Sequence, residues 1–113
     1  MRIVVSETGQ VLADSGEEAR NAWARFKGLM LRRELQTGGG LLIAPCGSIH
    51  MMFMRFSIDA VFFDRDGRVT RVARGVRPWI GLAFGGRKSH GVVELPVDVA
   101  AGVEPGQTLQ FEA

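Results

Sequence analysis

Short apolar runs, separated by glycine, proline and charged residues, recur along the whole 113-residue chain. Most of these runs are rich in valine, isoleucine or phenylalanine, and such runs bounded by turn residues are typical of β-strands. The pattern predicts strands at residues 2–6, 11–13, 41–44, 48–54, 60–64, 68–76, 91–95 and 108–112. Between two of them, the sequence Asp64-Arg65-Asp66-Gly67 predicts a hairpin turn with Gly67 in the left-handed conformation.

One segment has helical rather than strand periodicity. Ser15 and Glu18 have the spacing of a helix capping box. Apolar residues then recur at helical intervals, at Ala19, Ala22, Trp23, Phe26 and Met30. This pattern predicts a helix from about Glu17 to Leu31, with its aromatic side chains on one buried stripe. Gly28 would cost about 1 kcal/mol against alanine inside a plain helix, so we expect it to end the helix or to allow a close approach of another backbone.

Many short strands, one main helix and no βαβ rhythm predict an α+β fold dominated by antiparallel sheet. We expect a small, partly open β-barrel with one main helix and a short C-terminal helical turn at 96–101, where Pro96 stands near the start. A chain of this length buries somewhat over ~60% of its surface on folding. The chain has no internal repeat or boundary, so we expect a single domain over residues 1–113.

Composition narrows the classes of function. Fourteen basic and twelve acidic residues give a net charge of +2, and the basic residues are interleaved with acidic and apolar ones. Because tyrosine is also absent, we expect no nucleic-acid partner. No apolar run approaches the ~20 residues of a membrane span. The start of the chain resembles a first strand rather than a secretory signal, which predicts a cytoplasmic protein, and the single cysteine excludes an internal disulfide.

The segment 45–64, PCGSIHMMFMRFSIDAVFFD, carries most of the candidate chemistry. It contains the only cysteine, one of two histidines and three of five methionines, which suit a soft metal such as Cu(I) or zinc. If the segment is extended, Cys46 and His50 lie about 13 Å apart, too far for ligand bonds of about 2.0–2.3 Å to one ion. His50 and Met52 would share a strand face, with Met54 beyond them, but a complete site would also need a distant ligand such as His90. We therefore predict no resident cofactor or metal and keep a soft-metal protein as an alternative.

A second alternative is a cysteine-dependent hydrolase. Cys46, His50 and Asp59 supply the residue types of a nucleophile, a base and an orienting carboxylate. No nucleophile-elbow or oxyanion-hole signature accompanies them. A free cysteine is also often a small buried apolar residue.

The leading hypothesis is a non-enzymatic domain that binds a small ligand or a protein segment. Its cleft would be formed by the 46–59 strand pair and by the glycine-rich loop 78–88, which lacks the spacing of a phosphate-binding loop. Asp59, inside an apolar run, needs partners wherever it is buried. We expect a monomer or weak dimer. The predicted ligand-binding residues are Arg25, His50, Met54, Asp59, Trp79 and Glu94.

Several blocks of the chain resemble the domain-of-unknown-function family 192 of bacteria and archaea. Residues 25–35, RFKGLMLRREL, are similar to its signature Arg-x-x-Gly-Leu-Met-x-Arg-x-x-Leu. Further blocks that match in the expected order are Phe53-Met54-Arg55, Ile58-Asp59-Ala60-Val61-Phe62-Phe63-Asp64, Asp66-Gly67-Arg68-Val69, Pro78 and Val93-Glu94-Leu95-Pro96. Departures from the pattern are Ser57, Asp98 and Gln107. The resemblance implies a compact β-rich domain with an inserted helix and no established activity, and some members resemble exported proteins.

Overall fold

The computed structural model describes residues 1–113 and contains ten strands and one short helix. The elements are β1 (Arg2–Val5), β2 (Val11–Ala13), β3 (Ser15–Glu18), α1 (Ala22–Lys27), β4 (Gly39–Ile43), β5 (Ser48–His50), β6 (Ile58–Phe63), β7 (Val69–Val76), β8 (Leu82–Phe84), β9 (Gly91–Pro96) and β10 (Leu109–Glu112). The strands form three sheets, in the orders β10-β1-β2, β3-β4-β9-β6-β7 and β5-β8. The fold is therefore mostly antiparallel β, as the sequence predicts.

The five-stranded sheet forms the centre of the molecule and is covered on both faces. β6 is buried along its whole length, and β9 is buried from Gly91 to Leu95. Alternate side chains enter different apolar clusters: Phe62 packs beneath α1, β5 and β8, whereas Val61 packs against the β10-β1-β2 sheet. Continuous apolar runs in these two strands follow from burial on both sides.

The structure does not confirm the expected partly open barrel, because the strands are divided among three sheets. An isolated bridge between Arg68 and Thr108 links the region of β7 to that of β10. Strands β3 and β4 pair in parallel, with Ser15 opposite Gly39 and Glu18 opposite Leu42. The other strand pairs are antiparallel.

The predicted helix over residues 17–31 is wrong at its N-terminal half. Residues 15–18 pair with β4 as a strand, and the helix begins only after Asn21, whose side-chain oxygen accepts a hydrogen bond of 2.8 Å from the backbone N–H of Ala24. Gly28 ends the helix, as expected. No residue of α1 is buried, so the predicted buried aromatic stripe is also wrong, and Trp23 and Phe26 face solvent.

The region around β5 also differs from the predicted pattern. The strand predicted at 48–54 ends at His50, and the chain turns over the next residues, where the N–H of Met54 donates to the carbonyl of Met51. The segment 78–88, predicted as a loop, contains β8, which pairs antiparallel with β5. Residues 97–102 form successive turns rather than a helical turn. These short strands have too few residues for a period to be recognised.

The hairpin turn between β6 and β7 forms as predicted. Asp64 Oδ1 accepts hydrogen bonds of 2.9 Å from the N–H groups of Asp66 and Arg68. Gly67 has a φ of 83°, the left-handed conformation that its place in the turn requires. The single helix α1 is neither long enough nor apolar enough to cross a membrane.

Candidate functional site

A pocket of about 190 Å³ lies between α1 with the turn that follows it, β5, and the face of the central sheet beneath them. It is lined by residues 25–30, Cys46, residues 48–50, Ile43, Met54 and Glu94, and just over half of these are apolar. Four of the sequence-predicted site residues meet in this pocket, namely Arg25, His50, Met54 and Glu94. The structure thus brings together residues from four separate parts of the chain.

Glu94 is the buried charged group of the pocket. It lies on β9 in the middle of the central sheet, between Leu41 on β4 and Ala60 on β6. Its relative exposure is 4%, and its Oε1 atom has no hydrogen-bond partner in the protein. Burial raises the pKa of Glu94 to about 7, and the positive charge of Arg32 opposes this rise by a smaller amount. The carboxyl group therefore keeps its proton to higher pH than an exposed glutamate does.

Gly28 forms the cover of the pocket above Glu94. Its φ of 51° ends α1, and its N–H donates to the carbonyl of Ala24 at 2.9 Å. A Cβ at this position would lie 3.2 Å from Glu94 Oε1 and 3.6 Å from Ile43 Cδ1. Glycine therefore satisfies two conditions here, a positive φ and a close approach to the carboxyl group.

The other polar groups of the pocket come from α1, the turn before β5 and β5 itself. Arg25 and Lys27 supply two cations, and neither makes an ion pair within the chain. His50 is exposed, and its ring lies 6.4 Å from that of Phe26. Met54 is buried in the apolar cluster beneath them. The pocket thus combines an apolar floor, one buried carboxyl group and cationic side chains.

The arrangement around Cys46 does not resemble that of a nucleophile. Its thiol donates a hydrogen bond of 3.1 Å to the carbonyl of Ser48. Burial raises the pKa of the Cys46 thiol above its usual value of 9.0, and the thiolate form needed for attack is correspondingly rare. Cys46 and His50 line the same pocket, but Asp59, the third member of the hypothetical triad, does not.

We therefore expect Cys46 to react slowly with thiol reagents. At about pH 8, alkylation by iodoacetamide should be at least ~10-fold slower in the folded protein than in the urea-unfolded protein, because a raised pKa and partial burial both reduce the supply of accessible thiolate. Mass spectrometry of timed samples measures both rates. A folded protein that reacts as fast as or faster than the unfolded one would contradict this and would restore the hydrolase hypothesis.

The structure places Asp59 away from the pocket. Its side chain is fully buried, with Oδ1 accepting from the N–H of Gly75 at 2.9 Å and Oδ2 from the N–H of Ala100 at 3.1 Å. Neither Arg25 nor Arg55 forms an ion pair with it. The carboxylate instead joins β6 to the end of β7 and to the turns after β9. This position is that of a structural brace.

Trp79 also lies outside the pocket. The residue is 55% exposed, and its ring packs edge-on against Phe53, with 5.2 Å between the ring centroids. The backbone N–H of Trp79 donates to the backbone carbonyl of Met51 at 2.7 Å. The predicted cleft between the 46–59 segment and the loop 78–88 therefore differs from the pocket observed, which α1 covers instead.

A larger depression of about 590 Å³ lies on the other side of Cys46. It is open and polar, with both acidic and basic side chains, including Asp64, Asp66, Arg87 and Lys88. Its polar groups are exposed to solvent to a greater degree than Glu94. We therefore regard the smaller pocket as the candidate site, because its lining includes a buried carboxyl oxygen without a partner and that of the depression does not.

The expectation of an extended segment from Cys46 to Met54 holds only for β5. The chain bends at residues 44–47 and turns again after His50, so His50 and Met52 are not neighbours on one strand face. No set of three or more histidine, cysteine, aspartate or glutamate side chains is placed to hold a metal ion. His90 lines the polar depression rather than the pocket.

Several lining residues were not among the sequence-predicted site residues. Phe26 and Met30 fit the helical stripe that predicts core positions, and Gly28 fits a helix end or a close approach of another backbone. The signal that could have identified them is the Gly-Leu-Met motif at residues 28–30, which lies beside two basic residues. Their place in one pocket with Glu94, 66 residues from Gly28 in the sequence, depends on tertiary structure.

Comparison with solved structures identifies two similar folds. A protein of unknown function from Novosphingobium aromaticivorans DSM 12444 has a TM-score of 0.86 at 26% identity, over 98% of this chain and 84% of that chain. A "putative transcription regulator" from Sinorhizobium meliloti 1021 has a TM-score of 0.80 at 24% identity, over 96% of this chain and 89% of that chain. The second likeness, at this identity, concerns the fold alone. No curated protein matches the sequence.

The sequence profile of one family covers almost the entire chain. It matches residues 3–111, and the family is described as Uncharacterized ACR, DUF192. The match includes the Gly28 turn, β6 and Glu94, and it confirms the family that the sequence motifs indicated. This chain belongs to the DUF192 family.

Proposed function

We propose that the chain is a single-domain binding protein without catalytic activity, and that the pocket beneath α1 holds one residue of a peptide segment or a small molecule of similar chemistry. The observation that carries this proposal is the buried Glu94 carboxyl group with an unpartnered Oε1 atom. A buried polar atom without a partner costs about 1–3 kcal/mol. A ligand N–H that reaches Oε1 would provide the missing hydrogen bond.

The remaining lining supports a peptide-like ligand. Apolar side chains such as Ile43 and Met54 suit an apolar group, while Arg25 and Lys27 can donate to a carbonyl oxygen. A backbone amide beside an apolar side chain offers all three features at once. The volume of about 190 Å³ is below the roughly 300–1,000 Å³ of pockets for drug-sized ligands, and it suits a single residue.

A nuclear magnetic resonance titration tests this proposal. The probe is N-acetyl-leucine methylamide, and N-acetyl-glycine methylamide is its control without an apolar side chain. We expect the leucine probe to shift the backbone amide signals of residues 25–30 and 48–50, because these residues line the pocket. The glycine probe should shift them much less, because it buries no apolar surface.

Two substitutions at Glu94 distinguish the effect of the hydrogen bond on probe binding from the effect of the pocket's shape. Glu94→Leu removes the acceptor and should abolish the response to the leucine probe, whereas Glu94→Gln keeps an acceptor oxygen and should retain it. Thermal unfolding of both variants checks that they are folded. Equal responses in wild type and Glu94→Leu, or no response of wild type to the leucine probe, would contradict the proposal.

A further inference from the structure

A large exposed apolar surface surrounds the pocket. Three segments, residues 19–33, 48–58 and 77–93, carry nine of the twelve large apolar side chains that the protein exposes. Ile80 is 77% exposed, Trp23 67% and Leu82 65%. The nine residues are Trp23, Phe26, Leu31, Met52, Phe53, Trp79, Ile80, Leu82 and Phe84, and we call them the apolar face.

These residues are neighbours in space. The rings of Trp23 and Phe26 lie 5.9 Å apart, and Phe26 in turn lies beside His50 of β5. On the β5-β8 ribbon, His50 is opposite Leu82, and the outward residues of β8 are exposed while Ala83 between them is buried.

A second set of contacts joins the turns. The N–H of Leu31 donates to the carbonyl of Phe53 at 2.9 Å, and the ring of Phe53 packs against Trp79. The helix, the turn after it, the turn after β5 and the residues before β8 therefore present one connected surface.

The three segments are rich in basic residues, and acidic residues directly adjoin their ends at Glu18, Glu34, Asp59 and Glu94. The segments contain nine of the fourteen basic residues and none of the twelve acidic ones. Only Arg20 and Arg32 among the nine form ion pairs, with Glu18 and Glu17 respectively. The seven without an ion-pair partner are Arg25, Lys27, Arg33, Arg55, Arg77, Arg87 and Lys88. Five of these cations thus accompany the apolar face without an ion-pair partner, whereas Arg87 and Lys88 lie with Asp64 and Asp66 in the polar depression.

The backbone at this face is unusual as well. Leu31, Phe53 and Trp79 have φ values of 68°, 63° and 69°, which are left-handed conformations. Bulky side chains rarely adopt this region, and each instance costs of the order of 1–3 kcal/mol. All three residues expose their apolar side chains. The fold accepts local strain at positions where the side chains gain no burial within the chain.

We propose that the apolar face binds the surface of an anionic lipid bilayer. Aromatic and aliphatic side chains insert into the boundary between headgroups and acyl chains, while lysine and arginine side chains interact with the anionic headgroups. The exposed side chains lie on several separate turns, and a fluid lipid boundary accommodates such dispersed protrusions without a matched surface. The binding is peripheral and reversible.

Other occupants fit the face less well. A second copy of the chain would oppose two surfaces of like charge, which is unfavourable. Single-stranded nucleic acid would stack on the aromatic rings, but Leu31, Ile80 and Leu82 are among the most exposed side chains of the face and have no stacking surface. An acidic protein would need a surface complementary to the dispersed side chains.

Tryptophan fluorescence provides a direct test, because both tryptophans of the protein, Trp23 and Trp79, belong to the apolar face. The protein is titrated with vesicles of phosphatidylcholine containing roughly 30 mol% phosphatidylglycerol, and with vesicles of phosphatidylcholine alone. We expect a blue shift and co-sedimentation with the anionic vesicles, at least ~10-fold weaker binding to the neutral ones, and weakening by about 0.5 M NaCl.

Matched variants assign the binding to the face. Ile80→Ser combined with Leu82→Ser should weaken binding to the anionic vesicles at least ~10-fold, because two large apolar side chains are removed. Arg55→Glu combined with Arg77→Glu should weaken it by a similar factor. Val97→Ser and Arg71→Glu, at exposed positions outside the three segments, are the controls and should bind like wild type. Thermal unfolding checks that every variant is folded.

Three results would overturn the inference. The first is the absence of a blue shift and of co-sedimentation with the anionic vesicles. The second is equal loss of binding in the control variants. The third is binding of a single-stranded oligonucleotide in a parallel titration without binding of vesicles, which would assign the face to nucleic acid. Glu94→Leu should bind vesicles like wild type, so failure of the pocket proposal and failure of this one are distinguishable.

Discussion

Replacing Asp59 by alanine is expected to lower the free energy of unfolding by about 3 kcal/mol or more, because buried hydrogen-bond donors lose their acceptor. The Asp59 carboxylate accepts one hydrogen bond from Gly75 and one from Ala100, and the second of these is buried. Removal of the side chain would leave both N–H groups unpaired and would open a space inside the sheet. The loss is a large share of the roughly 5–15 kcal/mol that stabilises a typical domain.

Urea unfolding monitored by circular dichroism measures this loss. Asp59→Asn keeps one acceptor oxygen and should be less destabilised than Asp59→Ala. Asp66→Ala is the matched control, because Asp66 is exposed and its side chain accepts no hydrogen bond; it should change stability by less than about 0.5 kcal/mol. An Asp59→Ala variant as stable as this control would show that the brace contributes nothing. In that case Asp59 would again be a candidate ligand contact.

Replacing Glu94 by glutamine is expected to remove a pH dependence of stability worth about 3 kcal/mol. Burial raises the pKa of Glu94 from 4.5 to about 7 in the folded protein. The unfolded chain therefore loses this proton at lower pH than the folded chain does. Between about pH 4.5 and pH 7 the folded state binds more protons than the unfolded state, and its stability falls as the pH rises.

The pH range of this effect follows from the pKa of Glu94 in the unfolded protein and its pKa in the folded protein. Below 4.5 the carboxyl group is protonated in both states and contributes no pH dependence, and above about 7 the loss is complete. The charged groups near Glu94 are Arg32, which lowers its pKa, and Arg25 and Lys27 in the pocket lining.

Unfolding free energies of wild type and Glu94→Gln at several pH values between about 4.5 and 8 measure the effect. We expect their difference to change by about 3 kcal/mol across this range, with the variant relatively more stable at the higher pH. Glu104→Gln, at an exposed position, should follow the wild-type curve. Parallel curves for wild type and Glu94→Gln would mean that the Glu94 carboxyl group is solvated and ionised in the folded protein. The pocket proposal would then lose its main support.

The sequence identifies many residues of the candidate site but does not show that they lie together. Arg25, His50, Met54 and Glu94 were each identifiable from residue type, and the structure brings them to one pocket. Asp59 also carries a carboxylate and has a similar apolar context to Glu94, yet both of its oxygens have partners within the chain. What separates the two carboxylates is the presence of backbone N–H groups from distant segments, which local sequence does not reveal.

The α1 region shows the same difference between the local sequence pattern and the tertiary structure. The apolar spacing from Ala19 to Met30 is a real helical pattern, but an isolated helix of this length is marginal in water. Residues 15–18 gain a complete parallel pairing with β4 instead, so tertiary contacts outweigh the local preference. The remaining helix is too short to bury its aromatic side chains, and Trp23 and Phe26 stay at the surface.

By itself, the sequence determined the mostly antiparallel β class, the positions of the long strands, the Asp64–Gly67 turn, the helix end at Gly28 and membership of the DUF192 family. These features depend on local periodicity, on turn chemistry and on motif order, all of which can be recognised from residues close together in the sequence. Only the tertiary structure decided which buried carboxylate is hydrogen-bonded within the chain and which has an oxygen without a partner. It also decided which aromatic side chains are exposed and where the pocket lies. Each of those outcomes depends on contacts between residues far apart in the chain, such as Asp59 with Ala100 and Gly28 with Glu94.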